Sequence, residues 1–279
     1  MSERLFVQLQ HLLPKLLITR LFGFVARRRA GALTQWMIRR FIAKYGVDMS
    51  EAAEPNPHGY TRFNDFFTRA LKPGLRPLAA TQLVCPVDGA ISQFGRIERD
   101  QIFQAKGKSY SSGALLASDA AQARQFDDGL FATIYLSPRD YHRIHMPCDG
   151  RLQSMSYVPG ELYSVNPATA RGVDGLFARN ERVVCHFDSP HGPFALVLVG
   201  ATIVGSMETV WHGVINPPRS ASVRRWDYRD QNITLKKGEE MGRFLLGSTV
   251  VLLFPKGPLA FNADWAPARA VRMGEAMAD

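Results

Sequence analysis

Beyond about residue 80 the chain breaks into short apolar runs, each closed by Gly, Pro, Asp or Asn, and this spacing limits the fold more than any other feature. Phe131 to Leu136, Arg182 to Phe187, Pro193 to Val199, Ala201 to Val204 and Thr249 to Phe254 are too short for buried helices. A mainly antiparallel β core is therefore expected rather than a repeated βαβ sheet. Asp119 to Phe126 is alanine-rich and follows Ser118, a residue suited to capping, so it is expected as a short helix. The tail from Ala266 to Asp279 is polar and alanine-rich and is expected to be partly disordered. With helices gathered toward the N-terminus, the fold class is α+β.

The N-terminal part has a different character. Leu5, Leu9, Leu12 and Leu16 recur at helical spacing, and Phe6, Leu13 and Leu17 widen the stripe into an amphipathic face that Pro14 should kink or divide. A second helical stretch carries Trp36, Met37, Phe41 and Ile42 beside Arg39, Arg40 and Lys44. The net charge of the chain is +9, and residues 1–50 hold nine Lys or Arg against Glu3 and Asp48, so most of the excess lies there. Such helices either pack on the protein's own core or lie in an anionic membrane interface, where each basic residue contributes roughly 1 kcal/mol. A nucleic-acid partner would suit the charge, but no recognition motif accompanies it. No apolar run approaches the roughly 20 residues that span a bilayer, since His11, Lys15 and Arg20 break the early stretch. No small-residue cleavage site marks a signal peptide. The chain divides into a helical region over 1–60 and a larger domain over 61–279; if the chain acts on an amphiphilic substrate, the first is a membrane-association region attached peripherally on the cytoplasmic side and the second is the catalytic domain. Cys85, Cys148 and Cys185 make an odd count without paired spacing, which fits buried thiols in a reducing compartment and no disulfide.

Chemistry enters with Leu246-Gly247-Ser248-Thr249, directly ahead of the run Val250 to Phe254. Without a Cβ on Gly247, its carbonyl is open to the Ser248 hydroxyl, and an N-to-O acyl shift there followed by elimination would break the chain. The new end would become a pyruvoyl ketone, able to condense with an amine and to act as an electron sink in place of pyridoxal phosphate. Alone, the tetrapeptide reads equally as a turn. Pro86-Val87-Asp88-Gly89 is likewise a turn signal whose carboxylate could orient a histidine. Ser137-Pro138 reads as the start of a short helix that Pro147 ends, with His142 and His145 on one face. A zinc site would need further ligands that no CxxC or HExxH spacing supplies, so acid/base work is the better reading of the pair. No Gly-x-Gly-x-x-Gly occurs, and Ile102 stands where a phosphate loop ending in Gly107-Lys108-Ser109 would need glycine.

The run from Asp140 to Pro147, the Pro86 to Gly89 turn and the Leu246 to Thr249 element together resemble bacterial phosphatidylserine decarboxylase proenzymes. Phe63-Asn64-Asp65-Phe66-Phe67-Thr68-Arg69, Gly160 to Pro167 and Val199 to Ser206 extend the likeness, in order, from about residue 60 to about residue 255. The resemblance implies self-cleavage between Gly247 and Ser248 into a large N-terminal (beta) chain and a short C-terminal (alpha) chain. It implies Asp88, His145 and Ser248 as the charge relay for that cleavage, and conversion of Ser248 to the covalent pyruvoyl cofactor. It implies a substrate, phosphatidylserine in an anionic membrane, decarboxylated to phosphatidylethanolamine. His142 is a candidate for a substrate contact or proton donor in that second reaction, and Asn166 either lines the head-group pocket or caps the segment after it. Lys106 to Tyr110 and Lys236-Lys237-Gly238 are basic turns that face solvent or lipid phosphate. Pairing of two copies of the chain is left open. The rivals are a serine hydrolase using the same three residues on an external ester or amide, and a non-enzymatic lipid-binding module.

Overall fold

The computed structural model describes residues 3–202, 206–245 and 248–279. Three helices open the chain: α1 (Glu3–Leu12), α2 (Lys15–Ala26) and α3 (Ala32–Tyr45). Pro14 separates the first two, as its missing N–H and fixed φ require. Gly46 ends α3 in the left-handed conformation, its N–H closing on the Ile42 carbonyl. The leucine stripe does not pack inward. Leu12, Leu17 and Leu21 are 82%, 65% and 61% exposed, whereas Val7, Gln10, Lys15, Thr19 and Ala26 face the protein. Those inward positions are pinned to the body, Gln10 by Thr169 and the Ser164 N–H, and Lys15 by Glu161. Behind α3, Phe41 meets Phe63, Phe66 and Phe67 edge to face in one aromatic cluster.

Among the described residues the main sheet has nine strands and is antiparallel throughout. Ser248–Phe254 runs through it between Leu130–Leu136 and Gly192–Val199, and all seven of its residues are buried. A strand covered on both faces has no need of polar alternation, which is why this one reads as a continuous apolar run. Arg182–Ser189, Gly150–Val158 and Arg224–Asp227 continue the sheet on one side, with Thr234–Leu235 also pairing to Gly150–Val158; Gly89–Arg96 and Ala270–Val271 complete the other side. A four-stranded sheet of Gly213–Val214, Met207–Thr209, Glu240–Phe244 and Arg143–His145 lies beside it.

The expected strands at 131–136, 182–187, 193–199 and 249–254 are present with ends shifted by up to two residues. Ala201 and Thr202 are not in a strand, and the rest of that run lies outside the described residues. The short helix forms over Ala120–Arg124, with Asp119 rather than Ser118 as its cap, because the Asp119 carboxylate accepts from the Gln122 N–H. The tail is not disordered. Ala276–Ala278 pairs with Leu83–Val84, Ala270–Val271 pairs with Gly89–Arg96, and Met277 is fully buried. The three cysteines are buried and unpaired, and burial pushes the Cys148 thiol up to about 12.

Candidate active site

Strand register brings the ends of several motifs to one edge of the main sheet. Ala90, Tyr135 and Thr249 form one row across three strands, and Ser248 lies opposite Leu136. Gly89 and Ser248 are thus about two strand spacings apart, roughly 10 Å. Gly89 must be glycine because a Cβ there would meet the Tyr135 carbonyl oxygen at 2.4 Å. The residue before it, Asp88, is buried in the turn that leads into the strand.

Asp88 is held by groups that sequence inspection did not single out. Arg76 donates to it through Nε at 3.0 Å and Nη2 at 2.6 Å, and the Met273 N–H donates at 2.8 Å. Arg76 also bonds Glu51 at 2.7 Å, and its carboxylate partners hold its pKa above the ordinary arginine value despite the opposing effect of burial. No local pattern announces Arg76; only the folded chain joins it to Asp88.

His142 and His145 do not share a helix face, contrary to the expectation from Ser137-Pro138. The Asp140 N–H bonds the Ser137 carbonyl and the Asp140 carboxylate accepts from the Ser137 N–H at 2.6 Å, closing a single turn. Arg143–His145 then becomes a strand paired with Glu240–Phe244, and the Phe244 N–H donates to the His142 carbonyl. This distant partner satisfies the backbone that a helix would have satisfied locally. Side chains alternate along a strand, so the two imidazoles enter different surroundings.

His145 donates from Nδ1 to the Gly238 carbonyl at 2.7 Å, since a carbonyl only accepts. Its Nε2 therefore carries the lone pair, and the Tyr141 hydroxyl donates to it at 3.0 Å. Burial lowers the His145 pKa, partly opposed by the bond to Gly238 and by the charges of Glu240 and Asp88. Gly238 has a φ of +83°, a conformation that favours glycine and that presents this carbonyl to the ring. The structure thus places Asp88 and His145 within electrostatic reach, yet Asp88 is tied to Arg76, and neither nitrogen of His145 bonds Asp88 or Ser248. The direct hydrogen-bonded relay is not assembled in this conformation.

His142 is fully buried with its ring 4.1 Å from that of Phe67, and its Nδ1 donates to the Asp140 carbonyl at 2.8 Å. Burial pushes its pKa down to about 3, so it is a neutral acceptor whose Nε2 has no partner among the described residues. Ser248 is also buried, and its Oγ has no hydrogen-bond partner among the described residues. Buried polar atoms are rarely left unpaired, and those that are frequently serve chemistry. Leu246 and Gly247 lie outside the described residues. Asp88 and Tyr141 share a cleft of about 290 Å³ with Arg69, Arg139 and Asp140.

The family model described as phosphatidylserine decarboxylase matches residues 63–279, and one described as PSD matches residues 5–46. Proteins named phosphatidylserine decarboxylase proenzyme from Variovorax paradoxus and Chromobacterium violaceum are 69% and 70% identical to the chain. Each alignment covers all of this chain, and 99% and 100% of those relatives respectively. The chain belongs to the phosphatidylserine decarboxylase family. A relative of the same name from an Azoarcus species is 66% identical over the whole chain.

The Ser248 Oγ has no hydrogen bond among the described residues, and its neighbours Leu136, opposite it, and Thr249, next along the strand, are buried. Among the described residues no group of three or more His, Cys, Asp or Glu side chains could hold a metal ion. Asn166 takes the second of its two expected roles, capping the Pro167–Gly172 helix by accepting from the Thr169 N–H. Of the basic turns, Lys108 pairs with Asp174, Lys236 with Asp149, and Lys237 donates to the Ala79 and Thr81 carbonyls, which makes all three structural ties.

Proposed function

We propose that the chain is a self-processing decarboxylase that cuts itself between Gly247 and Ser248 and then converts phosphatidylserine to phosphatidylethanolamine and carbon dioxide. The observation that carries this reading is the Oγ of Ser248, buried without a partner among the described residues at the head of a wholly buried strand, in a chain similar from end to end to proteins named as proenzymes. In the cleavage, Ser248 Oγ adds to the Gly247 carbonyl carbon and the peptide nitrogen leaves, giving an ester. Removal of the Cα proton of residue 248 then breaks its Cβ–O bond, frees the Gly247 carboxylate and leaves dehydroalanine, which water converts to the ketone with loss of ammonia. His145 is the base for the Ser248 hydroxyl, and Asp88 supplies the negative charge that favours its imidazolium form. For this the Tyr141 hydroxyl must release the Nε2 lone pair.

The pyruvoyl group at residue 248 supplies a carbonyl that withdraws the electrons left by the departing carboxylate. His142 is the candidate for a substrate contact or proton donor in this second reaction: its Nδ1 is held by the Asp140 carbonyl, which leaves Nε2 without a partner among the described residues. The exposed leucines of α1 and α2, flanked by exposed Arg27, Arg28, Arg29, Arg39 and Arg40, support peripheral attachment to an anionic membrane from the cytoplasmic side. No helix among the described residues is long and apolar enough to cross one. Intact-mass measurement of purified protein tests the reading: two chains split at 247/248, the shorter bearing a ketone in place of its amine, are expected, and Ser248→Ala should give one uncut, inactive chain. A folded wild-type chain that stays whole would overturn it in favour of a hydrolase or a lipid-binding module.

A further inference from the structure

The bond proposed to break lies where the chain passes from the smaller sheet to the main one. Glu240–Phe244 belongs to the four-stranded sheet, with Phe244 opposite Met207, and the Leu245 N–H then donates to the Ser206 carbonyl. Ser248, three residues on, opens its strand in the main sheet. How the two sheets are held therefore sets where Leu245 and Ser248 stand relative to each other. A buried polar network joins the sheets at this passage. Thr249, Val199 and Arg182 share one row of the main sheet, so the next row outward is Ser248, Gly200 and Glu181, and the Gly200 N–H donates to the Glu181 carbonyl. Glu181 is thus two strands, roughly 10 Å, from Ser248. Its carboxylate accepts from Asn216 Nδ2 at 2.8 Å, and Asn216 Oδ1 accepts from the Met207 N–H at 2.9 Å. One planar peptide unit, Ser206–Met207, thereby holds Leu245 on its carbonyl and Asn216 on its N–H.

Glu181 and Asn216 are 1% and 0% exposed, and Tyr157 at 2.7 Å and Arg219 Nε at 3.0 Å complete the bonding of the Glu181 carboxylate. A carboxylate this deep loses its hydration even when paired, and apolar side chains of the same volume would hold two sheets together without that cost. They would not fix direction, because hydrophobic contact is non-directional whereas a hydrogen bond sets both distance and angle. We propose that Asn216, oriented by Glu181, is a positioning residue for self-cleavage, fixing the two sheets so that the Ser248 Oγ reaches the Gly247 carbonyl carbon; this rests on the self-cleavage reading. Attack requires the reacting atoms within about 3–3.5 Å, and a misplacement of about 1 Å costs on the order of 10²-fold in rate. Once the bond is cut, the two ends no longer depend on this register.

Asn216→Leu removes both hydrogen bonds at similar volume. Well below its melting temperature, the folded variant should cut itself about 10²-fold more slowly, while the kcat of those molecules that do cut, counted by their ketone, stays at the wild-type value. Glu181→Gln, whose amide oxygen still accepts from Asn216, should cut at close to the wild-type rate, and Glu181→Leu should be as slow as Asn216→Leu; this pair carries the same test should Asn216→Leu not fold. Hydroxylamine separates the steps, since it attacks the acyl carbon of an ester at Gly247, giving the hydroxamate and freeing the Ser248 hydroxyl. Asn216→Leu should stay whole in hydroxylamine because its ester has not formed. Scission restored by hydroxylamine, or a folded Asn216→Leu chain that cuts at the wild-type rate, would overturn the proposal. Hydrogen exchange in uncut Ser248→Ala protein reads the network without any cleavage: adding Asn216→Leu should speed exchange at both the Met207 and Leu245 amides, and a change confined to Met207 sinks the idea. A wild-type chain that never cuts would instead count against the self-cleavage reading, on which the exchange measurement does not depend.

Discussion

Tyr141 occupies the only lone pair that His145 could use as a base. A donor to neutral imidazole stabilises the neutral form and so depresses the pKa; its removal raises it. Tyr141→Phe should therefore move the midpoint of the self-cleavage pH–rate profile to higher pH, and raise the alkaline plateau because the lone pair is free. Stopped pH-jump cleavage of freshly refolded chain measures both, and a slower plateau would mean that the phenol relays the proton instead. For His142, a substitution to Asn should leave cleavage intact but lower decarboxylation by about 10²–10⁴-fold, the usual size of a lost proton-transfer group; uncut protein would assign His142 to the first reaction. Burial also holds His186 down to about 4, beside His142 at about 3. Both imidazoles are neutral when folded and charge when unfolded, so the unfolded chain binds more protons between those values and about 6.5. Stability should be complete above about pH 6.5 and fall as the pH drops toward 4, less steeply in His186→Leu, as read from urea midpoints.

The helices and strands divide by how locally they are determined. Strands 130–136, 192–199 and 248–254 were legible because burial on both faces leaves a nearly continuous apolar run, and 182–189 because of its buried centre Val183-Val184-Cys185 with Phe187. The histidine segment was misread because Ser-Pro and i,i+3 spacing are local helix signals, whereas its partner strand is about a hundred residues away at Glu240–Phe244. The tail was misread for the same reason: Ala270–Val271 and Ala276–Ala278 are too short to show a period and are ordered by strands near residue 85. At the site, motif and resemblance pointed to Asp88, His142, His145 and Ser248, whereas the Arg76 contact to Asp88 and the Tyr141 hydrogen bond to His145 follow only from the folded geometry. The leucine face of α1 and α2 was visible in the sequence, though not which way it turns. Because it turns outward, replacing Leu12, Leu17 and Leu21 by Ser should shift stability by only about 0.5 kcal/mol each. Co-sedimentation with anionic vesicles should be lost in the same protein; retained binding would place the lipid contact elsewhere.

Across the whole molecule, the proposed cut falls where it can least divide the structure. Residues 248–279 supply a strand flanked on both sides by strands of the longer piece, together with two shorter strands paired to the Leu83–Val84 and Gly89–Arg96 segments. The processed pieces should elute together in native chromatography and part only in denaturant. A thirty-two-residue piece is far below the size that builds its own core. The severed peptide bond is thus a memory of assembly: while it is present the sheet closes within one chain, and once it is gone the same sheet has to be found by collision of two. Denatured and diluted, the processed protein should not return, whereas uncut Ser248→Ala should, so that the enzyme's architecture outlives the covalent instruction that made it.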